Sequence, residues 1–186
     1  MMEKAIVVVD ELYDFIDGSL ACCHAEEAVG FSRDLLLSNP EVPAMFICDH
    51  HPANHSSFKE FGGIWPPHCV SGTRGSEIHD SLKPFVREEF TFYKGCNPAV
   101  EQYSGFEARN AGGKSFCEVL RSLGVNRVIL VGIATEYCVY NTAADLMKAG
   151  FAVEVCSDGL AYVDFSGHND TLAKMVREGV IVNTDV

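Results

Sequence analysis

Long apolar runs rich in β-branched residues recur along this chain, and helix-like segments rather than tight turns separate most of them. The runs that predict strands are residues 5–9, 44–48, 89–93, 127–131, 151–156 and 180–182. The segments that predict helices are residues 25–37, 76–82, 115–123, 136–149 and 167–178. Apolar runs without polar alternation are typical of strands buried on both faces. The pattern therefore predicts a single α/β domain over residues 1–186, with a mainly parallel central sheet flanked by helices on both faces.

The composition argues against several classes of partner. The 186 residues carry a net charge of −12 and no cluster of Lys or Arg, so nucleic acid and anionic membranes are poor partners. No apolar run approaches the roughly 18 residues that span a bilayer, and the N-terminus lacks a signal-peptide pattern. We therefore expect a cytoplasmic protein whose eight cysteines do not form a disulfide framework. The sequence leaves open whether the protein is a homo-oligomer.

Polar and reactive side chains stand at the ends of the predicted strands. Asp10, Asp49 and Lys94 each follow a strand directly, and Cys138 comes shortly after another. Because parallel strands end at the same edge of a sheet, we expect these four residues to lie close together there. Polar residues end strands in many proteins, so this argument needs support from the chemistry of the residues.

Cys138 stands near the start of a predicted helix, where it is a candidate nucleophile. Thr135 is suited to cap this helix, and Gly150 is suited to follow its last turn. Unpaired N–H groups in the first turn would lower the pKa of the thiol and could hold an oxyanion. A buried carboxylate such as Asp10 could take the thiol proton, and the Lys94 ammonium would favour the thiolate. The alternative is a structural salt bridge between Asp10 and Lys94 beside an inert cysteine.

Histidines after the second predicted strand suggest a metal site. Asp49 and His51 are alternate residues of an extended segment, so both side chains point to the same side. His68 comes from a Trp-Pro-Pro-His segment further along the chain. One carboxylate and two imidazoles suit zinc, iron or manganese, and His55 is a candidate fourth ligand or a neighbour of the ligands. The alternative is a polar, histidine-rich loop without a metal.

Several motifs together carry a family resemblance. They are Asp10 with Asp14-Phe15 and Gly18-Ser19-Leu20-Ala21, residues 49–58 and 65–73, Phe92-Tyr93-Lys94-Gly95, Tyr103-Ser104-Gly105-Phe106-Glu107, and residues 132–139. In this order, and over nearly the whole chain, they resemble the motifs of nicotinamidases, which are isochorismatase-like cysteine hydrolases. Two positions depart from the pattern, since Leu12 stands where many members have glutamine and Gly18 stands where two glycines are usual.

The resemblance implies the isochorismatase-like hydrolase fold and an amidase that converts nicotinamide to nicotinate and ammonia, with pyrazinamide as a further substrate. It implies Cys138 as the nucleophile, Asp10 as the acid and base, and Lys94 as the third catalytic residue. It also implies an oxyanion hole formed by the amides of Ala134 and Cys138, with a cis peptide bond before Ala134. The residues implied to contact the substrate are Phe15, Leu20, Trp65, Tyr103 and Ala134.

The same resemblance implies a divalent metal held by Asp49, His51 and His68, with zinc as the first choice and iron or manganese as alternatives. In the family this metal faces the pyridine nitrogen of the substrate. The nearest alternative function is that of a related hydrolase acting on another small amide, a carbamate or isochorismate. An alternative of another class is a metal-binding scaffold without catalysis, although the filled catalytic positions argue against it.

Overall fold

The computed structural model describes residues 3–184, which are built around one sheet of six parallel strands. The strands are β1 (Lys4–Val9), β2 (Ala44–Asp49), β3 (Thr91–Lys94), β4 (Arg127–Gly132), β5 (Ala152–Leu160) and β6 (Ile181–Asn183). Their order across the sheet is β3-β2-β1-β4-β5-β6, so β1 and β4 lie at its centre. The apolar run of β1 is buried from Ala5 to Val9, as expected for a central parallel strand.

Five α-helices cover both faces of this sheet. They are α1 (Tyr13–Ile16), α2 (Ala25–Ser38), α3 (Phe116–Ser122), α4 (Tyr140–Lys148) and α5 (Phe165–Arg177). One buried apolar cluster joins α1 and α2 to one face, and a second joins α3, α4 and α5 to the other face. The predicted α/β fold with a parallel sheet between two helical layers is confirmed. Among residues 3–184, no helix combines the length and the apolar character that crossing a membrane requires.

Side-chain caps explain where two of the helices begin. The Ser115 hydroxyl accepts a hydrogen bond from the Glu118 N–H (3.2 Å), and the Glu118 carboxylate accepts one from the Ser115 N–H (2.6 Å). This reciprocal pair satisfies two N–H groups at the start of α3. The Asp164 carboxylate accepts from the Gly167 N–H (2.7 Å) and caps α5 in a similar way. For that reason α5 begins before the predicted residue 167.

Other predicted elements differ in detail from the structure. Residues 11–24 are predicted to be irregular, yet they contain the short helix α1. The helix predicted at residues 76–82 is instead a pair of 3₁₀ turns, Arg74–Ser76 and Asp80–Phe85. The second turn contains Pro84, which lacks a backbone N–H and does not favour a regular α-helix.

Candidate active site

The predicted catalytic residues meet at the edge of the sheet where strands β1 to β4 end. Asp49 and Lys94 are partners across β2 and β3. Asp10 leaves β1 with φ of +50°, a backbone conformation that residues other than glycine rarely adopt. Its N–H donates to the Ile47 carbonyl (2.8 Å), and its Oδ1 accepts from the Asp49 N–H (2.7 Å). The backbone of β2 therefore holds the Asp10 carboxylate at this edge.

The Lys94 ammonium connects the two carboxylates with the thiol. Its Nζ lies 2.8 Å from Asp10 Oδ2, 2.5 Å from Asp49 Oδ1 and 3.3 Å from Cys138 Sγ. All four residues are buried, and Lys94 is only 1 % exposed. A charge at this depth is tolerated because the two carboxylates compensate it. Since the ammonium contacts Asp10, Asp49 and Cys138 together, these three do not offer a free metal site.

Burial decides where the protons lie in the resting site. It raises the pKa of Asp10 to about 6, although the neighbouring Lys94 ammonium lowers that pKa. Burial also raises the pKa of the Cys138 thiol well above its usual range, and Lys94 opposes this only in part. The prediction that the start of the helix makes this thiol acidic is therefore wrong. The site holds a thiol that needs a base, next to a carboxylate whose pKa suits that role.

The backbone around Cys138 differs from a regular helix start. A π-helical turn, Thr135–Val139, carries Cys138 and leads into α4. The predicted cap by Thr135 is wrong, because Ala134 precedes the first turn and the Thr135 hydroxyl donates to the Ala161 carbonyl (3.0 Å). The peptide bond before Ala134 is cis, as the resemblance implies. The Ala134 N–H has no acceptor among residues 3–184, so it can donate to a ligand oxygen beside Cys138.

Asp49, His51 and His68 meet next to the catalytic residues, and their ligand atoms lie within 4.8 Å of one another. The Nδ1 of His51 contacts the Gly95 carbonyl (3.1 Å), and the Nδ1 of His68 contacts the Pro66 carbonyl (2.8 Å). A carbonyl oxygen only accepts hydrogen bonds, so the Nδ1 of each ring carries the proton and donates it. The Nε2 of each neutral ring then has a lone pair that is free for a metal. The two Nε2 atoms lie 3.4 and 3.9 Å from Asp49 Oδ2. This buried, oriented set of donors fits a divalent metal ion.

Hydrogen bonds to Asp14 hold the loop that carries His68 in place. Its Oδ2 accepts from the Cys69 N–H (2.7 Å), and its Oδ1 accepts from the Ser19 N–H (3.3 Å). The Ser19 hydroxyl in turn donates to the Pro67 carbonyl (2.7 Å). Asp14 belongs to α1, so these bonds attach the loop to a helix that packs on the sheet.

His55 lies beside Asp49, His51 and His68, which we call the metal triad, but neither of its ring nitrogens is free to act as a ligand. Its ring centroid is 4.2 Å from that of His51. Its Nδ1 contacts the Ser57 hydroxyl (2.7 Å), and its Nε2 contacts the Val100 carbonyl (3.2 Å). Because both ring nitrogens have partners in the protein, the geometry favours the role of a neighbour over that of a fourth ligand.

One pocket opens onto the thiol and the metal triad. All the predicted substrate-contacting residues line it: Phe15, Leu20, Trp65, Tyr103 and Ala134. Asp49, His68 and Cys138 line the same pocket, and the Trp65 indole N–H donates to the Tyr103 hydroxyl (3.1 Å). Four further lining residues were not predicted, namely Cys22, Glu101, Tyr137 and Val163. Tyr137 precedes the nucleophile directly, which is a signal that could have found it, whereas the other three carry no motif.

Comparisons with known proteins agree with this arrangement. The nicotinamidase/pyrazinamidase of Mycobacterium tuberculosis is 37 % identical over 160 residues, which are 83 % of this chain and 84 % of the relative. The crystal structure of pyrazinamidase of Pyrococcus horikoshii in complex with zinc is similar with a TM-score of 0.87 and 33 % identity, and the match covers 97 % of this chain and 98 % of that one. PnC1 from L. infantum in complex with nicotinate has a TM-score of 0.84 and 29 % identity, over 97 % and 92 % of the two chains. A model of the isochorismatase domain matches residues 4–185, and this chain belongs to the isochorismatase family.

Proposed function

We propose that this protein hydrolyses nicotinamide to nicotinate and ammonia, and that it also accepts pyrazinamide. The observation that carries the proposal is one pocket lined by the buried Cys138 together with Asp49 and His68 of the metal triad. The aromatic side chains of Trp65 and Tyr103 give this pocket walls that suit a flat ring. Relatives that are named nicotinamidase or pyrazinamidase support the same substrate class.

The first half of the reaction forms a thioester on Cys138. Asp10, with its pKa of about 6, takes the thiol proton, and the Lys94 ammonium stabilises the thiolate. The sulfur attacks the amide carbon, and the N–H groups of Ala134 and Cys138 hold the resulting oxyanion. Each such donor contributes about 3–4 kcal/mol in comparable sites. Asp10 then protonates the leaving nitrogen, so ammonia departs and the thioester remains.

The second half of the reaction uses the same carboxylate on water. Asp10 takes a proton from a water molecule while the oxygen of that water attacks the thioester carbon. The carbon–sulfur bond breaks, Cys138 regains the proton from Asp10, and the nicotinic acid releases its own proton to solvent and leaves as nicotinate. Lys94 remains paired with Asp10 and Asp49, so it balances charge and does not need to transfer a proton.

A divalent metal held by Asp49, His51 and His68 is part of this proposal, with zinc as the metal. Two imidazoles and one carboxylate are a common ligand set for zinc with an open position. When bound, the metal would act as a Lewis acid towards the ring nitrogen of the substrate. The related pyrazinamidase in complex with zinc supports the choice. Metal analysis of the protein, purified without added metal, would decide between zinc, iron and manganese.

The decisive experiment compares substrates. Ammonia release from nicotinamide and pyrazinamide is measured beside the turnover of isochorismate, and we expect nicotinamide to be preferred. A preference for isochorismate, or for a carbamate, would assign the protein to a related hydrolase. A protein that binds metal and turns over none of these compounds would be a metal-binding scaffold.

We further propose that residues 1–186 act as one hydrolase domain and that the protein works in the cytoplasm. The first part is supported by the two apolar clusters, which pack against opposite faces of the same sheet. Fractionation of cells that produce the protein, with ammonia release as the assay, tests the location.

A further inference from the structure

The pocket contains one carboxylate that the proposed reaction does not use. Glu101 lines the pocket together with Asp49 and Trp65. Glu101 is exposed, whereas Asp49 is buried, so Glu101 lies at the mouth of the pocket and Asp49 at its floor. Within the described residues, no Lys, Arg or His forms an ion pair with Glu101. Among residues 3–184, its carboxylate accepts a hydrogen bond only from the neighbouring Gln102 N–H (3.2 Å).

Among residues 3–184, no Lys or Arg lines the pocket beside Glu101, and the divalent metal proposed at Asp49, His51 and His68 would offset the charge of Asp49 at the floor, away from Glu101 at the mouth. The described lining of the pocket contains the carboxylates of Asp49 and Glu101, and it contains neither Lys nor Arg. Lys94 lies below the pocket, where its ammonium is already paired with Asp10 and Asp49. Burial and the charge of Asp49 raise the pKa of Glu101, whereas His51 and Lys94 lower it, so the carboxylate at the mouth interacts with the charges inside the pocket.

We propose that Glu101 is a specificity-determining residue whose charge favours neutral amides over carboxylates in the pocket. The inference rests on the proposed function, in which a neutral amide becomes a carboxylate. A negative charge at the mouth leaves the affinity for the amide nearly unchanged and weakens the affinity for the acid, because like charges repel. Glu101 therefore promotes release of the product and disfavours other small carboxylates as ligands.

The single tryptophan of the chain allows this inference to be tested by binding alone. Trp65 lines the pocket, so its fluorescence reports on ligands there. Nicotinamide and nicotinate are titrated at low salt into the Cys138→Ala protein, with and without Glu101→Gln, after the metal content of each variant is matched. We expect Glu101→Gln to tighten nicotinate binding about three- to tenfold relative to nicotinamide, a range typical of a partly screened charge.

Glu107→Gln is the matched control, because Glu107 is exposed on the same segment, carries the same charge and does not line the pocket. Raising the salt concentration should shrink the effect of Glu101→Gln, since exposed charges are screened over about 10 Å at 0.1 M salt. An unchanged ratio of the two affinities, or an equal effect of Glu107→Gln, would overturn the inference while ammonia release by the unaltered protein still supported the proposed function. Absence of that ammonia release would overturn the proposed function and this inference with it.

Discussion

The proposed catalytic group, Asp10, Lys94 and Cys138, and the proposed metal triad, Asp49, His51 and His68, meet at one pocket but are built by different parts of the fold. Asp10 and Lys94 stand at the ends of β1 and β3, on either side of β2, where the hydrogen bonds of the sheet fix their positions. His51 and His68 lie on loops, where backbone carbonyls orient their rings. Asp49 joins the two, with Oδ1 on the Lys94 ammonium and Oδ2 facing the histidines. The sheet thus positions Asp10, Asp49 and Lys94, and the loops position the two histidines of the metal triad.

The two carboxylates that contact the Lys94 ammonium differ in the direction in which their pKa is shifted. Burial acts to raise the pKa of Asp49, but Lys94 and His51 hold that pKa well below its usual range. Burial raises the pKa of Asp10 to about 6 despite the same ammonium. Asp49 therefore stays an anion, as a metal ligand must, whereas Asp10 can gain and lose a proton during a reaction cycle.

The largest effect is expected from Cys138→Ala, which disrupts the catalytic group and spares the metal triad. Ammonia release from nicotinamide should fall by at least about 10⁴-fold, because the nucleophile is lost. The metal content per chain should equal that of the unaltered protein. Initial rates and metal analysis on the same sample check both statements, and substantial turnover would refute the assignment of Cys138.

The opposite change is His51→Ala, which disrupts the triad and leaves the Lys94 ion pairs in place. We expect metal affinity to fall by at least about 100-fold, because one ligand of three is removed and loss of groups that only orient ligands already costs 10–100-fold. Competition with a chelator measures the affinity. His50→Ala is the matched control, since this half-buried histidine contacts the Ser71 hydroxyl (2.8 Å) instead of the triad. Full metal retention by His51→Ala would be inconsistent with the proposed ligand set.

A smaller effect is expected from Asp14→Ala, which loosens the His68 loop without removing a ligand. Metal affinity should fall about 10–100-fold, as for other groups that orient metal ligands. The exposed Asp17 on the same segment provides the control variant Asp17→Ala, which removes the same charge. Chelator competition compares the two variants. Equal affinities would mean that the hydrogen bonds of Asp14 do not help to hold His68.

Glu11 extends the comparison to a carboxylate that is buried and that forms no ion pair within residues 3–184. Its Oε1 accepts from the Ser32 hydroxyl (2.5 Å), and burial raises its pKa well above the usual value of 4.5. Because the pKa is higher in the folded protein, the neutral acid stabilises the fold below the unfolded pKa, and this stability is lost as pH rises towards the folded pKa. Relative to Glu11→Gln, the protein should lose up to about 1.4 kcal/mol per pH unit over that range. Urea unfolding at several pH values measures the free energy of unfolding of both proteins. The same pH dependence in both would refute the prediction.

The placement of the catalytic residues could be predicted because it follows from the topology. Parallel strands end at one edge, so the polar residues after three apolar runs had to approach one another. The state of the Cys138 proton could not be predicted in this way. The rule for a helix start considers the local N–H groups, whereas burial by distant parts of the chain raises the pKa of this thiol. Glu101 and Cys22 escaped prediction because no spacing or motif marks a residue at a pocket mouth.

The sequence by itself determined the alternation of strands and helices, the residues at the strand ends, and the Asp-x-His spacing of the metal site. These features are local, since they depend on side-chain types a few positions apart. Only the tertiary structure decided that Lys94 contacts Cys138 across 44 residues of chain and that both nitrogens of His55 are occupied. It also decided which carboxylate keeps its charge, because the pKa of a buried group depends on every charge packed around it.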